Sequence, residues 1–403
     1  MPEPLAGKRI VLGVTGGIAA YKAADLTSKL VQLGADVHVI LTSGASEFIQ
    51  PMTFQALTRN PVYTGVFDGW EGSNAGHVTL AATADAVIVA PATANTIAGI
   101  AHGFASDMLG AVLLATQAPI LIAPAMEHHM WHHPATQANL ALLTDRGATI
   151  VPPESGRLAS GASGDGRLAA VERILHAIRA TVGSNGPLAG QRVVITAGGT
   201  HEAIDPVRFI GNGSSGTMGI ALAYAALDLG AEVRLILGPT VAHASAAFNP
   251  VRVTSALDLQ SAVDAETTGA DVLIMAAAVA DFRPASPSDR KVKKKDGEDT
   301  WHIDLVKNPD ILASVSRPGL LKVGFAAETD DLLANAQSKL ERKGLEMIIA
   351  NDAIATIGAA DSTATIIRRG VDQPESLPAM SKSDLAQVIM ERIAALILER
   401  ETR

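Results

Sequence analysis

One phrase occurs twice in this chain, and it narrows the choice of fold more than anything else in the sequence. "LGADVHVIL" begins at Leu33 and "LGAEVRLIL" at Leu229, 196 residues apart. Each closes the same series of apolar strand, Gly-rich turn and helical pattern. "RIVLGVTGG" (9–17) opens the first and "RVVITAGGT" (192–200) the second. A strand, a helix and a second strand in that order form a βαβ unit with parallel strands. Two such units in 403 residues, one opening each half, predict two domains. Continuous apolar runs follow at 86–92, 119–126, 272–280 and 347–352, as strands covered on both faces should read. "TVGSNGPLAGQ" (181–191) suits a boundary between the halves. We therefore expect an α/β protein of two doubly wound, Rossmann-like domains, 1–185 and 186–403.

The net charge of −9 argues against a nucleic-acid partner and against an anionic membrane surface. With no cysteine in the chain, disulfides and thiolate metal sites are excluded. "MPEPLAGKR" has no basic-then-apolar leader pattern. The longest apolar run, 110–126, is broken by Gln117 and Pro119, so it reads as a helix end and a buried strand rather than a membrane span. A cytoplasmic protein with no membrane partner is the expectation.

The turn at Gly16–Gly17 feeds a helix, and a helix N-terminus offers unpaired N–H groups that attract a phosphate. Neither half carries the G-x-G-x-x-G dinucleotide fingerprint. At the end of each second strand, where an NAD site needs an acid for the ribose hydroxyls, stand "ILTSG" (40–44) and "ILGPT" (236–240). A nicotinamide enzyme is disfavoured; a mononucleotide phosphate stays open.

Longer motifs carry a resemblance. The first half contains "TGGIAAYK" (15–22), "GHVTLAATADAVIVAPATANTIA" (76–98), "PAMEHHMW" (124–131) and "GRLASGASGDGR" (156–167). It resembles the homo-oligomeric flavin-containing cysteine decarboxylases. The second half contains "ITAGGTHEAIDPVRFIGNGSSGTMG" (195–219), "AAAVADFRP" (276–284), "KVKK" (291–294), "NPDIL" (308–312), "VGFAAET" (323–329) and "IIAND" (348–352). It is similar to phosphopantothenate–cysteine ligases. In this order, the two halves resemble the bifunctional coenzyme A biosynthesis family, with a flavodoxin-like flavoprotein domain first and a ligase domain second.

For the first half the resemblance implies FMN, its phosphate held by Gly16 and Gly17 with help from Thr15 and Ser43, and the segment Pro91, Ala92, Thr93, Ala94 and Asn95 near the flavin. It implies that His77 moves the proton during thiol oxidation, as an imidazole titrating near neutrality can. Met126 and Glu127 would meet the substrate. Two positions depart from the family pattern. Glu127 stands where an Asn contacts the substrate carboxylate, so it is protonated, turned away, or facing a differently seated substrate; His128 and His129 could compensate. Ser160 stands where a Cys protonates the enethiolate, and a hydroxyl is a far weaker acid than a thiol.

For the second half the resemblance implies CTP with Mg2+, acting on 4′-phosphopantothenate and cysteine. Asp281 would contact the nucleotide or the metal, and Lys291 and Lys294 would hold phosphates from a mobile flap. Met275, Ala276 and Ala277, then Asn308, Pro309, Asp310, Ile311, Leu312 and Phe325, would shape the nucleotide pocket. Lys339 and Lys343, four apart on one helical face, would reach the triphosphate together. Asn212 would bind the acyl intermediate. The family's His and Lys in that segment are Gly213 and Thr217 here. The resemblance also implies a homo-oligomer, trimeric through the first half and dimeric through the second, closing as a dodecamer. A second reading stays open on sequence: only the ligase half works, and the first is a degenerate, non-catalytic flavin-binding domain.

Overall fold

The computed structural model describes residues 5–68, 75–159, 161–293, 300–328, 332–352, 361–371 and 373–402. The chain divides into two compact units that meet between Gly183 and Ser184.

The first unit is built on six parallel strands: β1 (Arg9–Val14), β2 (Asp36–Leu41), β3 (Val62–Tyr63), β4 (Ala86–Ala92), β5 (Ile120–Pro124) and β6 (Thr149–Ile150). They lie in the order β3-β2-β1-β4-β5-β6, with Ile10 opposite Val37 on one side and Ala86 on the other. Alternate residues of each strand enter different cores, which is why every residue of β4 is buried. Leu12, Ile88 and Ala90 pack with Leu26 and Leu30 of helix Tyr21–Gln32 and with Ile174 and Ile178 of helix Val171–Gly183. Val11, Val87 and Val89 pack on the other face with Ile97, Leu109 and Val112. Each buried Val, Leu or Ile among them contributes about 1.5–3 kcal/mol, so a polar residue anywhere in β4 would break one core or the other. A hairpin of β7 (Glu154–Arg157) and β8 (Ser163–Arg167) follows the sheet.

The second unit holds β9 (Arg192–Ala197), β10 (Glu202–Ala203), β11 (Phe209–Ile210), β12 (Glu232–Leu237), β13 (Val251–Arg252), β14 (Val272–Met275), β15 (Phe282–Pro284), β16 (Leu305–Lys307), β17 (Leu321–Glu328), β18 (Met347–Asp352), β19 (Asp361–Arg368) and β20 (Glu375–Ser381). Its main sheet runs β13-β12-β9-β14-β17-β18-β19-β20, parallel as far as β18 and antiparallel beyond. β10–β11 and β15–β16 are separate antiparallel pairs. Helix Thr217–Asp228 packs so closely on the sheet that a Cβ at Gly219 would lie 2.5 Å from the Ala197 Cβ. Helix Lys382–Glu401 buries Leu385, Ile389, Met390 and Ile393.

The apolar run expected as one strand over 272–280 stops at Met275. Beyond it the backbone donors leave the ladder for the neighbouring loop: Ala277 N–H bonds the Thr196 hydroxyl at 3.1 Å, Ala278 N–H the Gly198 carbonyl at 2.9 Å, and Ala280 N–H the Thr200 hydroxyl at 3.0 Å. Among the described residues no helix is long and apolar enough to cross a membrane.

The His176 ring of the first unit is acid-sensitive above the carboxylate range. Burial, and then the charge of Arg179, lower the pKa of His176 to about 4. Between its unfolded value near 6.5 and about 4 the unfolded chain binds a proton that the folded chain refuses, so stability falls as pH falls through that window. We expect a loss of up to about 2 kcal/mol for a half-buried ring, read as a falling urea midpoint from pH 7 to pH 4.5. His176→Gln should flatten that dependence.

Candidate active sites

In a doubly wound sheet, ligands bind beyond the carboxyl ends of the strands where the strand order reverses. In the first unit the reversal falls between β1 and β4, and a cleft of about 920 Å3 opens there. Its lining includes Gly16, Gly17, Ser43, Thr93, Ala94 and Asn95. Met126 and Glu127 line the same cleft. Gly16 lies backbone to backbone against Gly44, with room for no Cβ: one would sit 2.7 Å from the Gly44 carbonyl carbon. Thr93 caps helix Ala94–Ala101 through a 3.3 Å bond from the Thr96 N–H, aiming that helix N-terminus into the cleft.

Thr15, Pro91 and Ala92 lie beneath the cleft instead of lining it. The Thr15 hydroxyl donates to the Pro91 carbonyl at 2.7 Å and accepts the Thr93 N–H at 3.0 Å. Its bonding is spent on tying the two strand-end loops together. His77 is the second residue of helix Gly76–Thr83 and is not in the cleft lining; its buried Nδ1 has no partner among the described residues. Ser160 lies outside the described residues. Sequence reasoning missed Tyr21, Lys22, Asp107, Arg157 and Arg167 of the lining, although all but Asp107 stand inside the quoted motifs.

Glu127 is the N-cap of helix His128–His132 and accepts the His129 N–H at 2.7 Å. Desolvation pushes its pKa up, but that bond, the charges of His129 and His128 and the Met130 N–H outweigh it, and the carboxyl sits below its ordinary range. It is occupied as a cap, and those contacts favour its charged form.

The hairpin β7–β8 is fastened to the same short helix. Asp165 bonds the Ser155 hydroxyl and, at 3.0 Å, the His132 Nε2, and its own N–H donates to the His128 Nδ1 at 3.1 Å. The Ser155 bond first, then His132, hold the Asp165 carboxyl below the usual range. His128, His132 and Asp165 bring possible ligand atoms within 4.8 Å of one another. Yet the backbone donor on Nδ1 places the His128 proton on Nε2, leaving that ring no lone pair for a metal. The cluster is an anchor for the hairpin.

In the second unit the order reverses between β9 and β14. Here the Asn212 amide donates to the Val279 carbonyl at 2.9 Å. Asn308 donates from its side chain to the Ala280 carbonyl and from its backbone to the Asp281 carbonyl, both at 2.8 Å. Ala276, Ala277 and Asp281 thus lie on one loop that Asn212 and Asn308 stitch from neighbouring segments. Met275 is buried below, its sulfur 3.7 Å from the Thr196 hydroxyl. Asp310 caps helix Ile311–Ser314 and pairs with the Lys343 ammonium at 2.9 Å. Desolvation raises the Asp310 pKa, but the bond and charge of Lys343 outweigh it, and its carboxyl too lies below the usual range. Ile311 and Leu312 are buried, Phe325 on β17 half-buried, Pro309 partly exposed.

Helix Leu332–Arg342 carries Lys339, and the Lys343 N–H closes its last turn on the Lys339 carbonyl at 3.0 Å, so the two residues stand one turn apart. Lys343 is drawn out by Asp310, and its carbonyl is held by the Lys322 ammonium at 2.7 Å. Lys291 is exposed; Lys294 lies outside the described residues. Gly213 has nothing within 4 Å of a built Cβ, so a His there would fit; Thr217 opens helix Thr217–Asp228 with its hydroxyl 2.9 Å from that of Ser215.

The family described as "Flavoprotein" matches residues 1–183, and the family described as "DNA/pantothenate metabolism flavoprotein C-terminal domain" matches residues 188–397. Three relatives share the printed name "Coenzyme A biosynthesis bifunctional protein CoaBC". That of Vibrio cholerae is 46% identical over 97% of this chain and 99% of its own. That of Bacillus subtilis is 46% identical over 97% and 98%, and that of Escherichia coli 40% identical over 99% and 100%. A solved C-terminal domain of a protein of that name is 36% identical, with a TM-score of 0.46, over 53% of this chain and 100% of its own.

Proposed function

The chain belongs to the bifunctional coenzyme A biosynthesis family, and from that premise we propose that its halves catalyse successive reactions. The second unit joins cysteine to 4′-phosphopantothenate using CTP. The first removes CO2 from the resulting 4′-phosphopantothenoylcysteine, with FMN as cofactor, to give 4′-phosphopantetheine. The near end-to-end match to relatives of that name carries this reading. In keeping with it, residues of the family motifs gather at both switch points. Nothing favours the ligase-only alternative.

A carboxylate resists an amine because oxide would have to leave. Attack of the 4′-phosphopantothenate carboxylate on the α-phosphorus of CTP breaks the bond to pyrophosphate and forms an acyl-cytidylate. The cysteine amine then attacks the acyl carbon, sheds its proton to solvent and expels CMP. Lys291 and Lys294 would neutralise the developing phosphate charge. Asp281 would hold Mg2+ against the triphosphate, a cation that commonly takes one carboxylate and shares the phosphates. Asn308 to Leu312, with Phe325, Lys339 and Lys343, would enclose the nucleotide, and Asn212 the acyl-cytidylate.

The first cleft suits FMN: its volume is within the range of cofactor sites, and the glycine cradle and the capped helix N-terminus offer backbone N–H groups to a phosphate. Bound there, FMN would supply a reversible two-electron acceptor, so that the thiol carbon could give up a hydride to become a C=S that takes the electrons of the departing carboxylate, and the hydride could return to leave the saturated thiol product. The cationic Lys22, Arg157 and Arg167 would draw the anionic substrate in, while Glu127 of the same lining would stay engaged as a helix cap. His77 would move the thiol proton. Because it does not line this chain's own cleft, a neighbouring copy supplying it agrees with the trimer the resemblance implies. Exposed Val207, Phe209, Phe282 and Leu305, on and beside the small antiparallel pairs of the second unit, would offer a dimer an apolar face.

Incubation of the protein with FMN, Mg2+, 4′-phosphopantothenate, cysteine and CTP, followed by mass, tests the reading. We expect 4′-phosphopantetheine, CMP, pyrophosphate and CO2. A mixture that stops at 4′-phosphopantothenoylcysteine would leave only the ligase; no coupling at all would overturn the ligase half, and 4′-phosphopantothenoylcysteine supplied directly without CO2 release would overturn the other.

A further inference from the structure

The short segment that ends at Asn212 also carries a buried ion pair for which the ligation reaction as set out has no use. The side chain of Asp205 is fully buried and that of Arg208 partly exposed. The two carboxylate oxygens divide their work. Oδ1 accepts the N–H groups of Val207 and Arg208, both at 2.9 Å, and makes the local turn. Oδ2 accepts the Arg208 guanidinium through Nε at 3.0 Å and through Nη2, and also the N–H of Val292 at 3.1 Å. Arg208 Nη2 then donates to the carbonyl of the same Val292 at 2.8 Å. Both backbone polar groups of the residue following Lys291 are therefore held by one ion pair. Upstream, the Ser288 N–H bonds the Ile204 carbonyl at 2.9 Å, and further along the chain Trp301 lies with its ring 4.3 Å from the Arg208 guanidinium carbon.

We propose that Asp205 and Arg208 form a clip that positions the Lys291 stretch for ligation, with Asp205 as a positioning residue. The proposal rests on Lys291 acting on the triphosphate as set out above. Fixing the N–H and the C=O of one residue sets the rotation of the backbone there, and so the direction in which its neighbours' side chains leave. Stability is a poor explanation for the pair, because buried ion pairs are often replaced by apolar groups at no loss. Geometry is the better one: Arg208 is joined through β11 to Asn212, so a single segment presents Asn212 at one end and grips the lysine stretch at the other. The Arg208 guanidinium first, with the backbone N–H groups, holds the Asp205 carboxyl far below the usual range, so the clip stays charged at any working pH.

The test is Asp205→Asn in the full chain. The amide oxygen must stay on the Val207 and Arg208 N–H groups, so the NH2 replaces Oδ2 and faces the donors of Arg208 and Val292. The turn survives and the clip opens. Cleavage by trypsin after Lys291 and Lys293 should accelerate about tenfold or more, since the opened backbone can enter a protease. The kcat of ligation should fall about 100-fold, with KM for cysteine little changed and decarboxylation untouched. Arg208→Gln should do the same, and the double variant no more than either alone. Cleavage at the natural rate overturns the proposal, as does faster cleavage with normal kcat. Lys291→Gln separates the failures: if it ligates normally, the reading of Lys291 falls and this proposal with it; if it is dead while Asp205→Asn is not, only the clip falls.

Discussion

Gly16→Ala should strip the flavin from the first unit, abolish decarboxylation and leave ligation intact. A Cβ there would lie 2.7 Å from the Gly44 carbonyl carbon, 2.8 Å from its Cα and 3.0 Å from its oxygen. All three are backbone atoms, so no side-chain rotation can make room. The loops leaving β1 and β2 must separate, and Thr42, Ser43 and Gly44, which wall the cleft, move with the second of them. Overpacking of this kind costs about 1–3 kcal/mol, too little to unfold a unit of ordinary stability, so the unit stays folded around a spoiled site. Displacement of about 1 Å at a cofactor is enough to lower turnover about 100-fold. Gly17→Ala separates the two causes, because it adds a Cβ at the cleft lining without forcing the loops apart. Its Cβ would meet only the Thr93 Cγ2, at 3.8 Å, and the backbone there, at φ −152°, is extended and open to any residue. Visible flavin absorbance of the purified variants reads the result, with the thermal midpoint to confirm folding. If Gly16→Ala is as yellow and as active as the natural chain, the cleft is not the flavin site.

The contrast between those two glycines was out of reach of the sequence, which showed only a Gly-Gly turn before a helix. Periodicity and repetition report on layers. The twofold phrase located β2 and β12, and the unbroken apolar run at 86–92 marked a strand between two cores because Val87 and Ile88 face opposite ways into them. Long-range backbone pairing leaves no such trace. The strand after Val272 ends early because Thr196 and Thr200 capture its donors, and those hydroxyls are about 80 residues away in the chain. Asp205 and Val292 are separated by 87 residues, so nothing in "AIDPVRF" marks its carboxylate as the holder of a lysine stretch. Glu127 looked anomalous as a substrate ligand because the motif says nothing about caps; its geometry makes it the start of a short helix. The resemblance gathered most of the candidate residues, while chain geometry decided which hydroxyls and carboxylates were already engaged.

Asn212→Asp should be the most damaging single change in the second unit. The switch-point loop is stitched at Ala277, Ala278 and Ala280 by the β9 loop, and from another side by Asn308. Asn212 alone among the described residues holds the Val279 carbonyl by a side chain, at 2.9 Å. An aspartate at 212 would set a carboxylate against that carbonyl and drive apart the two segments that must enclose the acyl-cytidylate. It would also bring a negative charge towards a triphosphate, and Asp281, two residues beyond Val279, would shift with the loop. Removal of one preorganised donor lowers turnover about 100- to 1000-fold, and the added repulsion places the aspartate at the upper end or beyond. Asn212→Ala, which only deletes the bond, should sit at the lower end. The two half-reactions separate the causes. If Asn212 serves the acyl-cytidylate, pyrophosphate release in a first turnover should survive Asn212→Ala better than transfer to cysteine, and the activated acid should accumulate. Decarboxylation of supplied 4′-phosphopantothenoylcysteine should proceed normally in both variants, because its residues lie in the other unit. Were both half-reactions to stay within about tenfold of the natural rate in Asn212→Asp, the placement of the acyl intermediate beside β9 and β14 would be wrong.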